Sequence, residues 1–193
     1  GAQHHGSQRV SLPSIPRNWL DLAALVDPIG HRTEPLADGR LLDWYGIYAL
    51  AATQLIAPTL YAELVKSGRL SMAPTDVQDA LRELHRLNAE RNDRQRSVLK
   101  ETLRILNDHG IEPLLLKGAI ALLPGASAQP TTRMMSDLDL ALHNAEPAQG
   151  ERALIEAGYW HANNQGPQQY SDIHHLAPLF HPSAEGYVEI QGI

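Results

Sequence analysis

The sequence predicts an α+β protein: a small mixed sheet with packed helices that follows an all-helical N-terminal region. Before Gly110, apolar residues recur mostly at helical spacing. After Gly110, short apolar runs typical of strands alternate with helical segments, which favours crossover connections in the first half of this part. The last two apolar runs flank a turn that contains Pro182 and Gly186, which favours a hairpin.

The composition limits the class of protein. A chain of 193 residues with 43% hydrophobic and 20% charged residues can bury the core of one domain. It has no cysteine, which excludes disulfides, zinc–thiolate sites and thiol catalysis. The net charge of −6, without a long basic run, argues against general nucleic-acid binding. No apolar run is long enough to span a membrane, and we expect a cytoplasmic protein.

We divide the chain into three parts: an irregular N-terminal arm at 1–16, a helical region at 17–72 and an α/β core at 73–193. Pro13 and Pro16 disfavour a helix in the arm. The helical region is predicted to contain three helices, at Trp19–Val26, Leu41–Ile56 and Pro58–Leu64. The second has apolar residues on most faces, which predicts a buried helix.

A long helix is predicted at Thr75–Asp108, because Pro74 precedes it and Gly110 follows its end. Two apolar stripes lie along it, separated by a polar segment at 88–97 that contains three arginines, Arg91, Arg94 and Arg96. We interpret this segment as a solvated stretch between two packed regions. The alternative is that one of its arginines faces an anionic ligand.

The core begins with a predicted strand at Ile111–Leu116, and a short helix at Ala119–Leu123 follows Lys117-Gly118. The next strand is Ser136–Leu142. Asn144 is predicted to cap a helix that has Pro147 in its first turn and Gly158 past its end. Further strands are predicted at Tyr159–Ala162, Ile173–Phe180 and Tyr187–Gln191, the last two joined by a turn at 181–186.

Two carboxylates lie on the strand at Ser136–Leu142. Side chains alternate along a strand, so Asp137 and Asp139 share one face and the leucines between and after them share the other. Neighbouring carboxylates repel each other unless a cation lies between them. The simplest explanation is a divalent-metal site with hard oxygen ligands, as Mg²⁺ prefers. The alternative is a solvated strand end with two surface aspartates.

Three further residues favour a site. Gly118 allows a ligand to approach the backbone, a helix N-terminus there would bind phosphate, and Lys117 would add positive charge. Glu189 lies between Val188 and Ile190, which face the opposite way, so its carboxylate points alone from an apolar strand. Each has an ordinary alternative: a surface lysine, a tight turn and a surface residue on an edge strand. Their combination with the aspartate pair indicates a site for metal and phosphate.

The segments Leu-Leu-Leu-Lys-Gly-Ala, Arg-Met-Met-Ser-Asp-Leu-Asp-Leu-Ala-Leu and Tyr-Val-Glu-Ile together resemble the uncharacterised branch of the polymerase-β-type nucleotidyltransferase superfamily. The resemblance extends from Thr75 to Gln191. In that superfamily a glycine motif opens the helix after the first core strand. An Asp-x-Asp strand follows, and a third carboxylate lies on a later strand. The resemblance therefore implies a polymerase-β-like nucleotidyltransferase core.

The same resemblance implies transfer of a nucleoside monophosphate from a nucleoside triphosphate to an unidentified hydroxyl acceptor. Mg²⁺ or Mn²⁺ would be the cofactor, held by residues that are also catalytic: Asp137, Asp139 and Glu189. The phosphates of the nucleotide would be bound by Lys117, Gly118 and Arg133.

Two positions depart from the family pattern. Ala119 stands where Ser is usual, which removes a hydroxyl for phosphate, and Gln191 stands where His is usual. His174 and His175, on the preceding predicted strand, could face the same cleft or lie at the surface. These departures favour an alternative function, a catalytically weak or inactive relative that binds a nucleotide or a partner. A metal-dependent nucleotide-sugar glycosyltransferase is less favoured, because the region before the Asp-x-Asp strand is helical.

The sequence ends close to the predicted site, two residues after Gln191. Members of the resembling family usually continue into a further helical region that would cover the cleft. We therefore expect either a further C-terminal region or pairing with another subunit, for example in a homo-oligomer.

Overall fold

The computed structural model describes residues 15–27, 41–123, 125, 132–161, 177–181, 183 and 187–192. The helices are α1 (Arg17–Leu25), α2 (Trp44–Thr53), α3 (Ala57–Lys66), α4 (Thr75–Asp108) and α5 (Pro147–Glu156), with 3₁₀ helices at Leu70–Met72 and Lys117–Leu122. The strands are β1 (Pro113–Leu115), β2 (Asp137–Leu142), β3 (Trp160–His161), β4 (Leu179–Phe180) and β5 (Tyr187–Gly192). The predicted α+β architecture, with helices in the N-terminal region, is confirmed. In the described part of the chain, no helix is both long and apolar enough to cross a membrane.

Helix α4 has 34 residues and packs into two hydrophobic cores. It begins after Pro74, and Gly110 lies just past its end with a φ of +71°, a conformation that glycine adopts without strain. Both predicted bounds of the helix are confirmed. Its N-terminal half packs with α1, α2 and α3, and its C-terminal half packs beneath the sheet. The division of the chain at residue 73 stays a prediction.

The sheet has the order β1-β2-β5-β4-β3. Strands β2 and β5 are parallel, whereas the other three neighbouring pairs are antiparallel. The antiparallel pairing of β4 and β5 is the hairpin that the sequence predicted. A crossover between β1 and β2 was also predicted, and this is wrong. The helix described between them is a 3₁₀ helix of six residues, which is too short to cross the sheet as a crossover requires.

The two faces of the sheet differ in chemistry. Leu138, Val188 and Leu179 pair in register across three strands, and all are buried under the helices. Their neighbours along β2 and β5 point the opposite way, as strand geometry requires. We call this second face, which carries Asp137, Asp139 and Glu189, the carboxylate face. The alternation predicted for Glu189 agrees with the structure, since Val188 and Ile190 are each only 1% exposed.

Helix α2 is less buried than predicted. It buries a single stripe of three residues, Trp44, Ile47 and Ala51, whereas Tyr45 is 60% exposed. The prediction of a helix buried on most faces was wrong. The helix packs on α1, α3 and α4 from one side only, and apolar composition alone does not show how many faces have a neighbour.

Asn144 does not cap α5, contrary to prediction. Glu146 is the N-cap residue and forms a capping box with Gln149. The side chain of Asn144 instead accepts a hydrogen bond from the backbone N–H of Glu112 at 2.8 Å and donates one to the carbonyl of Gly110 at 3.0 Å. It thus connects the loop before β1 with the loop after β2.

Several predicted elements lie partly or wholly outside the described residues. Most of the N-terminal arm and the first half of the predicted strand at Ile173–Phe180 are among them, as are His174 and His175. Of the described residues of that predicted strand, 177–180, only Leu179 and Phe180 form a strand, β4. It pairs on one side with β5, which therefore lies inside the sheet between β2 and β4.

Candidate active site

Three carboxylates converge on the carboxylate face. The parallel register of β2 and β5 places Asp139 opposite Glu189, and Asp137 lies two residues earlier on the same face. One oxygen from each of the three carboxylates lies within 4.8 Å of the others. Asp139 is 4% exposed, and the other two are half-buried. Across the part of the chain that the structure describes, this is the one group of three such side chains close enough to share a metal ion.

A lysine lies beside this group. The Nζ of Lys117 donates a hydrogen bond to Oδ1 of Asp139 at 2.8 Å. This hydrogen bond raises the pKa of Lys117 above its ordinary value, and the charges of Asp139, Glu189 and Asp137 raise it further. The lysine therefore carries its positive charge at neutral pH and partly offsets the negative charge of the carboxylates.

The backbone of Lys117 is strained. Its φ is +47°, in the left-handed region that residues with a Cβ adopt at a cost. This conformation turns the chain from β1 into the 3₁₀ helix, which begins at Lys117 itself. The sequence predicted a short helix at Ala119–Leu123. The structure has a short helix there, but it is a 3₁₀ helix that starts two residues earlier, so Lys117 and Gly118 are already part of its first turn. Phosphate binding at its N-terminus stays a prediction.

Gly118 and Arg133 pack against each other. A Cβ built on Gly118 would lie 3.6 Å from Nε of Arg133 and 3.2 Å from Cε of Met135. The guanidinium group therefore lies close to the Gly118 backbone, which is buried. Both residues line a cavity of about 190 Å³ together with Lys117, Asp137 and Asp139. The structure thus brings the predicted phosphate-binding residues to the same cavity as the aspartate pair.

The polar segment of α4 is buried on one side, whereas the sequence predicted a solvated stretch; its other side is exposed, as at Asp93. Asn88, Asn92 and Gln95 are 3%, 0% and 2% exposed. The side-chain amides of Asn88 and Asn92 both donate to the backbone carbonyl of Arg133, at 3.2 and 2.8 Å. These three residues were not among the predicted site residues. The available signal was their spacing of four, which places two amides on one face of a helix.

The 3₁₀ helix is also attached to α4. Nε of Arg96 donates to the carbonyl of Leu122, the last residue of the 3₁₀ helix, at 3.0 Å. The same guanidinium forms an ion pair with Asp93 at 2.6 Å. Helix α4 therefore holds both the segment that carries Arg133 and the 3₁₀ helix that carries Lys117.

Tyr187 is a further residue of this face that the sequence analysis did not single out. It lies opposite Asp137 in the register of β2 and β5. Burial raises the pKa of its hydroxyl, and the charges of Glu189, Asp137 and Asp139 raise it further. The hydroxyl therefore keeps its proton and can donate a hydrogen bond next to the carboxylates.

The two departures from the family pattern occupy different positions. Ala119 is 1% exposed, packs in the hydrophobic core and is not among the residues that line the cavity. Gln191 lies on β5 two residues after Glu189, opposite Ala141, and is half-buried. It therefore shares the carboxylate face with Glu189 but lies further from Asp137.

Comparison with known proteins agrees with this arrangement. A family model described as uncharacterised nucleotidyltransferase matches residues 41–190. No curated protein and no solved structure matches the chain. The matched residues make up more than half of the chain and include the three carboxylates, Lys117 and Arg133. The chain belongs to the uncharacterised nucleotidyltransferase family.

Proposed function

We propose that the protein transfers a nucleoside monophosphate from a nucleoside triphosphate to a hydroxyl acceptor, with Mg²⁺ or Mn²⁺ as cofactor. Membership of a nucleotidyltransferase family supports nucleotidyl transfer in general. The observation that carries the more specific proposal is the group of three carboxylates within 4.8 Å of one another. Two of the three, Asp137 and Asp139, line a cavity that Lys117 and Arg133 also line. We also propose that the protein acts in the cytoplasm, which is consistent with a nucleoside triphosphate as the donor.

The donor atoms fit a hard divalent cation. All three side chains offer carboxylate oxygens, which suit Mg²⁺ and Mn²⁺. Their combined charge exceeds that of the single lysine hydrogen-bonded to Asp139. Asp137, Asp139 and Glu189 would hold the ion. When bound, it would neutralise charge on the transferred phosphoryl group and lower the pKa of the acceptor hydroxyl.

The phosphates would bind on the side of Lys117, Gly118 and Arg133. Lys117 has a side chain that is 61% exposed, so it can turn from Asp139 towards a phosphate without leaving a packed position. Arg133 offers a planar fork of donors suited to two phosphate oxygens. Gly118 has no side chain to keep a phosphate from the backbone.

The chemical step follows from these positions. The oxygen of the acceptor hydroxyl forms a bond to the α-phosphorus while the bond from that phosphorus to the bridging oxygen breaks. The hydroxyl proton passes to solvent water, and the bridging oxygen leaves with its electron pair as part of pyrophosphate. Lys117 and Arg133 would stabilise the negative charge that builds up on the leaving group. The carboxylates would hold the acceptor side of the reaction in line through the ion that they bind.

The experiment is incubation with each labelled nucleoside triphosphate, Mg²⁺ and a cell extract as the source of acceptor. We expect a labelled product and release of pyrophosphate, both lost in Asp139→Asn and retained in Asp108→Asn. Asp108 is a matched control because it is an exposed aspartate at the far end of α4, paired with Arg104. If wild-type protein releases no pyrophosphate with any triphosphate, the proposed transfer is wrong.

A second candidate function is nucleotide binding without transfer. It is favoured by Ala119 and Gln191, which replace a hydroxyl and an imidazole that the family pattern usually carries. The same incubation distinguishes the two functions, because this candidate gives Mg²⁺-dependent binding of the triphosphate without pyrophosphate.

A further inference from the structure

A row of three aromatic side chains crosses the carboxylate face. Trp160 of β3 pairs with Phe180 of β4, Phe180 pairs with Tyr187 of β5, and Tyr187 pairs with Asp137 of β2. Residues paired in register lie on the same face of a sheet. The ring centroids are 6.3 Å apart for the first pair and 5.5 Å apart for the second. The aromatic row therefore leads directly to the carboxylates.

Packing in the core does not explain this row. The core residues of the same strands, Leu179 and Val188, are 0% and 1% exposed and lie on the opposite face. Trp160 is 44% exposed, and Phe180 and Tyr187 are half-buried. Three neighbouring rings that remain accessible beside a polar site are typical of a surface that stacks on flat ligands.

The charge of the strands that carry the row limits how much negative charge the ligand can have. Residues 153–193, which include β3, β4 and β5, contain no lysine and no arginine. Proteins that bind nucleic acid use lysine and arginine to neutralise phosphates. Those that stack bases on aromatic side chains combine these rings with a positively charged groove. Here the row ends at three carboxylates instead. A polyanionic ligand would therefore be repelled.

The order of the strands places the row opposite the phosphate-binding residues. Lys117 follows β1, on one side of β2, whereas the aromatic row lies on β5, β4 and β3, on the other side. With neighbouring strands roughly 5 Å apart, the row extends roughly 10 Å from β5 to β3. An in-line displacement needs the acceptor and the leaving pyrophosphate on opposite sides of the α-phosphorus, and this arrangement provides that separation.

We propose that the row of Trp160, Phe180 and Tyr187 binds the acceptor, a hydroxyl compound with an aromatic or flat apolar ring and no negative charge. This inference rests on the proposed nucleotidyl transfer, because it assigns the acceptor of that reaction. The ring of the acceptor stacks on the row, and its hydroxyl reaches the carboxylates. The hydroxyl of Tyr187 is placed to donate a hydrogen bond to the acceptor where the row meets Asp137.

The test measures binding of two ring-bearing probes, phenyl β-D-glucopyranoside and tyramine, by saturation-transfer NMR. Their ringless counterparts, methyl β-D-glucopyranoside and ethanolamine, are the ligand controls. The variants are Trp160→Leu and Phe180→Leu, with Trp19→Leu as the matched control. Trp19 is 42% exposed, close to the 44% of Trp160, but lies on α1. Circular dichroism checks that each variant is folded.

We expect the ring-bearing probes to bind with their aromatic protons most saturated. Stacking on an aromatic side chain is worth about 1–3 kcal/mol, so Trp160→Leu and Phe180→Leu should each weaken binding roughly 5- to 150-fold. Trp19→Leu should leave binding unchanged. The inference is wrong if neither ring-bearing probe binds wild-type protein, or if the Trp19 and Trp160 variants behave alike. It is also wrong if a short oligothymidylate binds in a way that depends on Trp160.

The same samples separate this inference from the proposed function. Binding of the Mg²⁺–triphosphate complex should be equal in wild-type protein and Trp160→Leu, because the aromatic row lies away from Lys117 and Arg133. Absence of triphosphate binding in wild-type protein contradicts the proposed function. Triphosphate binding without ring-dependent binding of the probes contradicts the acceptor assignment alone.

Discussion

Replacement of Asn92 by leucine should weaken triphosphate binding, although Asn92 lies on α4 and does not line the cavity. Its side chain is fully buried and donates to the carbonyl of Arg133 at 2.8 Å. Leucine has a similar volume but no donor, so the main change is the loss of this hydrogen bond. A buried carbonyl that loses a donor costs about 1–3 kcal/mol. Because Asn88 still donates to the same carbonyl at 3.2 Å, we expect about 1–2 kcal/mol of lost stability.

The functional effect follows from the position of Arg133. Its guanidinium lies against Gly118, and its backbone is held by the two asparagines. If the backbone shifts, the guanidinium no longer meets the phosphates in its fixed geometry, and we expect roughly tenfold weaker triphosphate binding, equivalent to about 1.4 kcal/mol. Urea unfolding followed by circular dichroism measures the stability, and calorimetry measures the binding.

The matched control is Thr102→Val on the same helix. Thr102 is also fully buried, and its hydroxyl lies 2.9 Å from the hydroxyl of Tyr159. Its loss should cost a similar amount of stability, about 1–2 kcal/mol, but should leave triphosphate binding unchanged. If the two variants bind the triphosphate with the same affinity, whether unchanged or weakened, Asn92 contributes to stability only and does not position Arg133.

Two further predictions concern the core and the lysine. Gly150→Val should lower the free energy of unfolding by about 1–3 kcal/mol without changing triphosphate binding, since a Cβ there would lie 2.7 Å from Cδ1 of Leu142; urea unfolding and calorimetry measure the two effects. Lys117→Met should lower stability at neutral pH. The pKa of Lys117 is raised in the folded protein, so its contribution is fully present below the ordinary value of 10.5 and is lost as the pH rises above it. Urea unfolding of both proteins should therefore give a difference that is constant from about pH 7 to about pH 10 and shrinks above about pH 10. The difference should be smaller with Mg²⁺ present. A difference that grows above about pH 7 would contradict the pairing with Asp139.

The elements that sequence analysis predicted well depend on local signals. Helix α4 is bounded by Pro74 and by Gly110, residues that act on the chain next to them. The convergence of Asp137, Asp139 and Glu189 could be predicted mainly from the alternation of side chains along each strand. This alternation places one face of the sheet against the core and the other away from it. A parallel pairing of β2 with β5 then brought the carboxylates together.

The elements that it missed depend on neighbours distant in the chain. Asn88 and Asn92 resemble residues of a solvated helix face, but they bind the carbonyl of Arg133, which lies more than 40 residues later in the chain. Asparagine is a residue type that often caps helices, but the side chain of Asn144 forms hydrogen bonds with the backbones of Gly110 and Glu112 instead. The aromatic row could not be predicted from the sequence either, because its three members lie on three strands whose register the sequence does not show.

The most direct test of the carboxylate site is calorimetric titration of a nucleoside triphosphate, with and without Mg²⁺, into wild-type protein and Asp139→Asn. The substitution keeps the shape of a side chain that is 4% exposed while it removes a ligand charge, so the variant should remain folded. We expect Mg²⁺ to tighten binding to wild-type protein, because the ion takes ligands from both the carboxylates and the phosphates. Mg²⁺ should have little effect on binding to the variant. If Mg²⁺ makes no difference to wild-type protein, or if Asp139→Asn binds the Mg²⁺–triphosphate complex equally well, the carboxylates are not a metal site.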